Sequence, residues 1–568
     1  MAYISGINRK QRVLFPECLD EYIDENNPIR VIDAFVDQTD IESVGFLRFV
    51  PAKEGRPGYD PRDILKLYIY GYFNKIRASR KLMAECRRNV EVMWLLKKLT
   101  PDFRTIADFR KIHSAALKNI FRSFVKLCDS LNLYTKELIS IDGSKFKAVN
   151  AKDRNFTFSK LDDRIIRIDE HISEYLAALE DNDKEEAEEP VFSKEEIEKK
   201  IQKLKDRKEI YNSYINEMLE TGDTQKSLTD PESRLMNFKG KYDVGYNVQT
   251  AVDSGKKLIA DFVLTNQPND SGLLFEVAED TRKLLGMETI ETVADKGYRK
   301  PEDLQECLEK GIIPNVYPPD NANAHTFELD YEAAVISDET RNSTKPDDIK
   351  KCLSAGIIPT IYDNTNLTLE VSEKKRKEKT DEVTQDVVEI SENIDALLQA
   401  GYFVRDMEKN FVTCPMGCIL RKRTVNRGYD RYCNMLACSK CKNKCTKSKY
   451  KDIDFKPGQY MVKSKVWEGK VSTGINNPII KDDKPKNKGK FIKKTVVTIM
   501  FVPDAEKLKQ RKSLSEHPFG TVKRWHDSSY LLLKGKEKVT SELSLSFLVY
   551  NLKRAINELG VKQILARI

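Results

Sequence analysis

The chain has no apolar run long enough to cross a bilayer. Its longest runs, such as VTIMFV, fall far short of the roughly 20 apolar residues of a spanning helix. The first residues, MAYISGINRKQRVLF, also lack the long apolar core of a signal peptide. These two absences argue against a membrane protein or an exported protein. We therefore predict a cytoplasmic protein.

The sequence also lacks a strong charge of either sign. Its 97 Lys and Arg residues are nearly balanced by 89 Asp and Glu residues, which leaves a formal net charge of +8. This sign permits a polyanionic partner such as nucleic acid, but so small an excess is weak evidence for one. With 568 residues the chain exceeds a single hydrophobic core, so several domains are expected.

Cysteine is sparse outside one short segment. Five of the eleven cysteines are scattered, at Cys18, Cys86, Cys128, Cys307 and Cys352. The other six lie close together, at Cys414, Cys418, Cys433, Cys438, Cys441 and Cys445. In a reducing compartment this crowding indicates metal binding rather than disulfide bonding.

The spacing of the six clustered cysteines suits a structural zinc site, because four thiolates complete a tetrahedral shell. Six candidates for four positions leave the ligand set open. Cys438, Cys441 and Cys445 are the strongest candidates, with one of Cys414, Cys418 or Cys433 as the fourth. An iron–sulfur cluster and ordinary free thiols are the alternatives. Since all-cysteine sites are closed, we do not expect this metal to be catalytic.

Residues 1–135 read as helical. Asp60-Pro61 forms a helix cap followed by proline at the first helical position, and further helices are predicted over 79–98 and 104–132. Basic residues concentrate here: Arg77, Arg80, Lys81, Arg87, Arg88, Lys97, Lys98, Arg104, Arg110 and Lys111. Either a solvated helix face or a phosphate-binding surface explains them. Their clustering on a compact helical domain favours DNA binding, and Arg80, Arg87 and Arg88 are the candidates retained.

The middle of the chain combines a sheet with an inserted helical pair. A strand is predicted over 137–149, and apolar residues at helical spacing then predict an antiparallel coiled-coil hairpin over 158–222. The hairpin is either a structural arm or a partner-binding element. From 243 to 317 the order strand, hairpin, helix, strand, helix, strand predicts a mixed sheet covered by helices.

A 17-residue segment, PEDLQECLEKGIIPNVY (301–317), recurs as PDDIKKCLSAGIIPTIY (346–362). The recurrence predicts a duplicated helix–strand unit. We expect the polar stretch 367–400 to be part loop and part helix. A strand at KKTVVTIMFV and helices over 511–560 complete the chain.

Three acidic residues stand in short signatures of their own. Asp142 and Asp295 close apolar, β-rich runs, and Glu516 opens a segment with helical character. Carboxylates at strand ends, joined by one on a helix, can hold two divalent cations over a phosphodiester. A lone Asp at a strand end is more often a cap or a turn former. Asp230, in LTDPESRLM, is a rival acid, although Asp-Pro usually makes a turn.

The words around these acids carry a resemblance. The chain contains, in order, GRPGYDPRDILKLYIYGYFNKIRASRKL, PDFRTIADFRK, IDGSKFKAV, LTDPESRLM, VGYNVQTAVD, ADKGY, EHPFGTVKRW and LSFLVYNLKRAI. This set resembles the DDE transposases encoded by bacterial insertion sequences, over roughly 1–320 and 400–560.

The resemblance implies an α/β fold: a ribonuclease-H-like mixed sheet flanked by helices, with additions to that core. Asp142 would lie on its first strand, Asp295 at the end of its fourth, and Glu516 on a late helix. The implied domains are a helical DNA-binding domain (1–135), the first part of the catalytic core (136–320), an insertion region with a Cys-rich module (321–490, module 410–450) and the last part of the core (491–568).

The implied function is metal-dependent DNA cleavage and strand transfer at the terminal inverted repeats of an insertion sequence. Asp142, Asp295 and Glu516 would hold two Mg²⁺ or Mn²⁺ ions. The partners would be element ends and target DNA, bound by a homodimer associated with the bacterial nucleoid. A domesticated, catalytically silent DNA-binding protein is the main alternative, and a simple metal nuclease is a third possibility.

Several residues near the acids would contact DNA by the same resemblance. Lys523 occupies the position of a basic residue that contacts phosphate, whereas the positions of the family's tyrosine and arginine before the glutamate hold Lys509 and Lys512. Apart from the resemblance, their positions near the acids make Lys145, Tyr298, Arg299 and Arg524 further candidates for DNA contact, and Lys512 is retained with them. Trp525 either stacks on a base or packs against a helix. His517 is either a support for the glutamate or a helix contact.

Overall fold

A computed structural model describes residues 18–46, 58–150, 152–182, 194–377, 394–407, 411–426, 429–439, 441, 445–446, 448, 450–456, 459–463, 491–525 and 529–568. The chain divides into two compact units, each built from separated segments. Unit 1 comprises residues 1–150, 232–374 and 494–568, and unit 2 comprises residues 151–231 and 375–493. The mixed α/β class predicted from the sequence is confirmed. No helix within the described ranges is both long enough and apolar enough to span a membrane.

Unit 1 begins with six helices: α1 (Ile29–Gln38), α2 (Pro61–Phe73), α3 (Ser79–Arg88), α4 (Val90–Leu95), α5 (Phe103–Ile112) and α6 (Ser114–Ser130). The predicted cap holds, since the Asp60 carboxylate accepts the Arg62 N–H at 2.8 Å. The helices predicted over 79–98 and 104–132 are each divided in two. Asn89 starts a new helix by accepting the Val92 N–H, and His113 separates α5 from α6.

The main sheet of unit 1 has six strands: β1 (Ile139–Lys147), β4 (Arg234–Phe238), β5 (Lys241–Asp253), β6 (Ile259–Thr265), β7 (Ile290–Ala294) and β8 (Ile312–Val316). Their order is β4-β5-β1-β7-β8, with β6 paired to β5. β5 is antiparallel to β1, β4 and β6, while β1, β7 and β8 run parallel. Asp295 therefore follows the fifth strand of this sheet and not the fourth, because residues 234–238 form a strand that the sequence analysis missed.

Helices cover this sheet and complete the core of unit 1. They are α9 (Leu274–Leu284), α10 (Pro301–Glu309), α15 (Ala505–Gly520), α16 (Lys536–Leu559) and α17 (Val561–Leu565). α16 packs against α6, α2 and β6, so the N-terminal helices and the sheet share one continuous apolar core.

Two of the basic residues assigned to the surface of the helical segment are buried in this core. Arg77 Nη1 lies 3.1 Å from Glu542 Oε1, and the two side chains are 5% and 1% exposed. Arg110 donates to the Tyr72 hydroxyl at 3.0 Å. Because Arg77 and Arg110 are buried and paired within the core, neither is available to a phosphate. The prediction of a fully solvated or DNA-facing set was wrong for these two.

A smaller three-stranded sheet, β10-β17-β9, also belongs mainly to unit 1, with β9 (His325–Asp330), β10 (Asn366–Lys377) and β17 (Phe491–Val502). β10 lies where a polar loop and helix were predicted. Nearby are the short helices α11 (Asp338–Arg341) and α12 (Pro346–Ser354). In the second copy of the repeat, α12 matches α10, but a 3-10 turn (Thr360–Tyr362) replaces the predicted strand. The Tyr362 hydroxyl donates to the Leu308 carbonyl of α10, so the copy packs on the first copy's helix instead of extending its sheet.

Unit 2 joins a helical hairpin to a cysteine-bearing sheet. Its N-terminal elements are β2 (Asn155–Thr157), α7 (Phe158–Asn182), α8 (Lys194–Thr221) and β3 (Gln225–Ser227). α7 and α8 occupy the range predicted for the hairpin. Their contact is apolar, with Leu161 and Ile165 of α7 against Ile215 and Met218 of α8. The rest of the unit contains α13 (Ile394–Gln399), β11 (Tyr402–Asp406), β12 (Phe411–Thr413), β13 (Ile419–Asn426), β14 (Tyr429–Cys433), α14 (Met435–Ser439), β15 (Ile453–Phe455) and β16 (Met461–Lys463).

Strands β11 to β16 form one sheet in the order β15-β14-β13-β12-β11-β16, and β2 pairs separately with β3. A buried ion pair links this sheet to the hairpin: Arg421 Nη1 lies 2.9 Å from Asp162 Oδ1, with side-chain exposures of 14% and 6%. The two segments of unit 2 therefore meet through a specific polar contact as well as through packing of α14 and β13 on α7.

Candidate active site in unit 1

Asp142 and Asp295 lie side by side on neighbouring parallel strands. The β1–β7 register pairs Ile141 with Ala294, so each aspartate is the next residue on its own strand. Because residues one position apart point to opposite faces of a sheet, matched positions on the two strands present their side chains to the same face. Asp142 accepts the Gly143 N–H at 2.9 Å, and Asp295 accepts the Lys296 N–H at 2.7 Å. The sheet thus fixes two of the three predicted acids as a pair.

Helix α15 packs on this sheet and brings one guanidinium to both aspartates. Arg511 Nη1 lies 3.9 Å from Asp142 Oδ2, and Arg511 Nη2 lies 3.9 Å from Asp295 Oδ1. Both distances exceed that of a hydrogen bond, so they describe an electrostatic contact without fixed donor geometry. The guanidinium therefore partly neutralises the two carboxylates.

The pKa of Asp142 is raised, mainly because burial disfavours its charged form. Ser515, one helical turn after Arg511, faces this carboxylate and lowers the pKa, although its hydroxyl does not reach strict hydrogen-bond geometry. Arg511 and the Gly143 N–H also lower the pKa, and Asp270 raises it. Asp142 thus sits in a polar but partly desolvated site.

Glu516 lies near the end of α15, whereas the sequence analysis placed it at the start of a helix. It follows Ser515 directly in the chain, so its backbone is one residue from the contact with Asp142. Its side chain is exposed and forms no hydrogen bond or ion pair with any described residue. Among the described residues, no group of three or more His, Cys, Asp or Glu side chains is arranged as a ready metal site. Glu516 therefore lies near Asp142 and Asp295, but its side chain does not complete a three-carboxylate site with them.

Asp270 is a fourth acid at this site, and the sequence analysis missed it. Its Oδ1 accepts from Asn247 Nδ2 and Gln249 Nε2, both at 2.8 Å. Asn247 and Gln249 alternate along β5, and β5 pairs Gln249 with Gly143. A Cβ at Gly143 would collide with the ends of the Asp270 and Gln249 side chains, so any larger residue beside Asp142 would displace them. The amide pair thereby fixes a carboxylate behind the strand that carries Asp142.

Lys523 follows α15 in a π-helical turn, Thr521–Trp525. Its Nζ donates to Ser144 Oγ at 2.6 Å and to the Lys145 carbonyl at 2.7 Å, and it lies 4.3 Å from the Phe146 ring centroid. Burial lowers its pKa to about 8, with a further contribution from Lys239, while Asp142 acts in the opposite direction. Lys523 is thus held against the part of β1 that follows Asp142, at Ser144 and Lys145.

The other residues predicted to contact DNA differ in exposure. Lys512 and Arg524 are exposed, and Arg299 is half-buried with an ion pair of 3.5 Å to Asp320. Lys145 donates to the Asn237 carbonyl at 3.1 Å. Tyr298 is fully buried and donates its hydroxyl to Gln249, so the prediction of a direct DNA contact there was wrong. Tyr298 instead supports the side chain that holds Asp270.

Two further residues of the late helix can be placed in part. His517 Nδ1 lies 3.2 Å from the Tyr550 hydroxyl of α16, so this ring is a contact between helices. The Trp525 side chain lies outside the described residues. The rival acid Asp230 is fully buried in unit 2, away from solvent.

Helix α3 presents a basic surface to solvent. Arg80, Arg87 and Arg88 are exposed, with Arg80 stacked 4.9 Å from the Phe103 ring centroid and Arg88 paired with Glu85. A phosphate could replace the Glu85 contact at Arg88 and could reach Arg87 freely. The predicted DNA-binding arginines are therefore accessible.

Two features could have led to the missed residues. Arg511 and Ser515 are spaced i, i+4, the helical repeat that places both on the face covering Asp142. Asn247 and Gln249 are polar residues within the otherwise apolar strand VGYNVQTAVD, which is unusual unless their amides have a partner. Nothing in the sequence marks Asp270 as that partner.

Comparison with known families gives two matches. The family described as Transposase domain (DUF772) matches residues 17–112, and the family described as Transposase DDE domain matches residues 218–552. No curated protein and no solved structure matches the chain.

Proposed function

Because the chain belongs to the DDE transposases of insertion sequences, we propose that it cuts DNA at the ends of such an element and joins the released ends to target DNA. The observation that carries this proposal is the pairing of Asp142 and Asp295 on adjacent parallel strands beneath helix α15. We also propose that the six-stranded sheet of unit 1 is ribonuclease-H-like, in keeping with the antiparallel neighbour β5 and the parallel neighbour β7 of β1, and with β8 parallel to β7.

The donor set suits divalent cations, since carboxylate oxygens are the ligands that Mg²⁺ and Mn²⁺ prefer. Asp142 and Asp295 would hold the ions, and Glu516 would complete the site by turning in from its exposed position at the end of α15. Two such ions, when bound, activate the attacking oxygen and stabilise the leaving oxygen of a phosphodiester. Arg511, set between the two aspartates, would move from the carboxylates to the substrate phosphate as the cations enter.

Lys523 and the surface arginines would position DNA around this chemistry. The Lys523 amine contacts β1 at Ser144, two residues after Asp142. A phosphate next to the cleaved bond would meet the amine at this position. Arg80, Arg87 and Arg88 of α3 would bind the DNA backbone without reading its sequence. Two element ends must be held together for joining, so we propose a homodimer in the DNA complex.

The test is a cleavage and strand-transfer assay with labelled element ends, a supercoiled target plasmid and Mg²⁺. We expect the wild type to yield joined products, and Asp142→Asn, Asp295→Asn and Glu516→Gln to reduce them at least about a hundredfold. Glu506→Gln is the matched control, because Glu506 is an exposed acid on the same helix whose ion pair, at 2.8 Å, is with Lys509. Equal activity of the Asp295→Asn variant and the wild type would refute the assignment.

The assay also separates the alternatives. Cleavage without joining would indicate a nuclease, whereas DNA binding without cleavage in the wild type would indicate a catalytically silent, domesticated protein. The latter outcome would leave the α3 surface as the functional site, and Arg87→Ala should then still weaken binding.

A further inference from the structure

Five of the six clustered cysteines of unit 2 line one small cavity. The cavity has a volume of about 30 Å³ and is bordered by Cys414, Cys418, Cys438, Cys441 and Cys445. Its remaining lining is largely apolar, with Phe403 and Leu420 among the contacts. A space of this size holds one small ion or one water molecule. Cys433 lies elsewhere, buried on β14 beside Arg423 and Asp452.

The first part of the cavity wall is the turn between β12 and β13, with the sequence Cys-Pro-Met-Gly-Cys. Gly417 takes a φ of +72°, and the Cys414 N–H donates to the Cys418 carbonyl at 2.9 Å. The backbone N–H groups of Met416 and Cys418 and the Cys418 thiol all lie close to the Cys414 sulfur. The turn therefore gathers two sulfurs, those of Cys414 and Cys418, on one side of the cavity.

The second part of the wall is formed by residues of α14 together with Cys441, Cys445 and Lys451, which follow it in the chain. Asn434 caps α14 by accepting the Ala437 N–H at 2.9 Å, and its amide donates to the Ile419 carbonyl of β13 at 2.7 Å. This side chain ties the two parts of the wall together. The Cys438 sulfur accepts the Lys451 N–H and lies near the thiols of Cys441 and Cys418, while Cys445 lies near Cys438 and Cys441.

Cys418 differs from the other four lining cysteines. Its thiol is directed at the Met416 carbonyl of its own turn, at 3.8 Å. Together with Cys441 it borders an open groove between the sheet and the hairpin. Cys414 and Cys445, in contrast, both pack against the apolar core of this sheet.

We propose that Cys414, Cys438, Cys441 and Cys445 bind one zinc ion that fixes α14 and the β12–β13 turn to the sheet of unit 2. The four sulfurs must move inward to about 2.3 Å from the ion, since no three of them form a ready site in the described part of the chain. The site is closed and lies in unit 2, so its role is structural and does not depend on the proposed transposase chemistry of unit 1.

The experiment is metal analysis of the full-length protein, purified without a polyhistidine tag, together with single Cys→Ser variants. We expect one zinc per chain in the wild type and in Cys433→Ser and Cys418→Ser. The variants Cys414→Ser, Cys438→Ser, Cys441→Ser and Cys445→Ser should each lose most of the metal. Cobalt exchanged into the wild type should show the charge-transfer absorption of tetrahedral thiolate ligation.

Different results would overturn the proposal. A metal-free wild type with all cysteines reactive toward a thiol reagent would exclude any bound metal. Visible absorption with bound iron and sulfide would identify an iron–sulfur cluster instead. Zinc retained by Cys438→Ser, or lost from Cys433→Ser while that variant keeps the wild-type circular dichroism spectrum, would show that the ligand set is wrong. Because these readouts do not involve DNA, failure here would leave the transposase assay unaffected.

Discussion

The two candidate metal sites of this protein are built in opposite ways. In unit 1, Asp142, Asp295 and Glu516 are separated by 152 and 220 residues along the chain, and a sheet register and a packed helix bring the first two together. In unit 2, the cysteines come from short turns within 32 residues, around a sheet core in which six of the described side chains are buried together. The first site is therefore a product of the fold, and the second is expected to hold its own fold together. Metal binding should add activity to unit 1 and stability to unit 2.

Loss of metal should separate the two sites most sharply. We expect Cys438→Ser to destabilise unit 2 by several kcal/mol, since structural zinc contributes on the order of ten kcal/mol in small domains. Asp142→Asn should change the stability of unit 1 by less than about 1 kcal/mol, because burial already disfavours the Asp142 charge. Hydrogen exchange of β11–β16 and of β1–β7 would measure both effects. Equal protection of β11–β16 in both variants would contradict the comparison.

Replacing Lys523 should show how much its buried charge at the unit 1 site lowers the stability of the fold. Its pKa of about 8 lies below its ordinary value of 10.5, so the buried charge destabilises the native state most at pH values below about 8. Between pH 8 and 10.5 the native state releases this proton before the unfolded state does, and stability should rise with pH. We expect Lys523→Met to be more stable by roughly 1–3 kcal/mol at pH 7, by less at pH 9.5, and inactive.

Urea unfolding at the two pH values provides this measurement. Lys147→Met is the matched control, because Lys147 is an exposed lysine on the same strand. It should show no such dependence on pH. A Lys523→Met variant that is less stable than wild type at pH 7 would mean that the contacts of the amine with β1 outweigh its burial.

Arg511 should act as a resident counter-charge of the unit 1 site. We expect Arg511→Ala to lose about 1 kcal/mol of stability without cations, because two neighbouring aspartates then repel each other. Mn²⁺ should bind the free variant severalfold more tightly than the wild type, since no guanidinium competes, while strand transfer falls. Calorimetric titration measures the affinity. Lys512→Ala, which removes an exposed charge one residue away, is the control. It should change neither the stability nor the Mn²⁺ affinity.

Gly143 should give the smallest change in stability. We expect Gly143→Ala to displace Asp270 and Gln249, with a loss of up to about 1 kcal/mol and roughly tenfold slower cleavage. Gly520→Ala is a suitable control, because a Cβ at Gly520 meets no atom within 4 Å. Full activity of Gly143→Ala would show that the carboxylate behind β1 has no part in placing Asp142.

The sequence allowed the parts of the fold that depend on local pattern to be predicted. The hairpin over 158–222, strand β7 before Asp295 and the helix–strand pair α10–β8 were located within a few residues, because periodicity and caps are local signals. Two predictions were wrong. Residues 366–377 form strand β10 instead of loop and helix, and a 3-10 turn replaces the predicted strand in the second copy of the repeat. Whether such a segment forms a strand depends on a free sheet edge with which it can pair, and a local pattern does not contain that information.

The candidate site was predictable in its acids and not in their surroundings. The short sequence motifs identified Asp142, Asp295 and Glu516. The spacing typical of the family pointed to Lys509 and Lys512 as the basic residues before Glu516, whereas α15 presents Arg511 to the acids. Asp270 became visible only through β5, whose amides reach it from more than 20 residues away. Contacts of this kind depend on tertiary packing that a short pattern does not contain.

The Arg77–Glu542 pair has a consequence for synthesis of the chain. The two residues are 465 positions apart, and Glu542 also accepts the backbone N–H groups of Leu532 and Leu533. Until the ribosome has released the last helix, the nascent protein must keep a guanidinium without its carboxylate, either in water or at a cost of several kcal/mol. The first 500 residues therefore cannot settle into their final packing early. A product that terminates before Glu542 already contains the acids of the unit 1 site, but it should remain accessible to proteases.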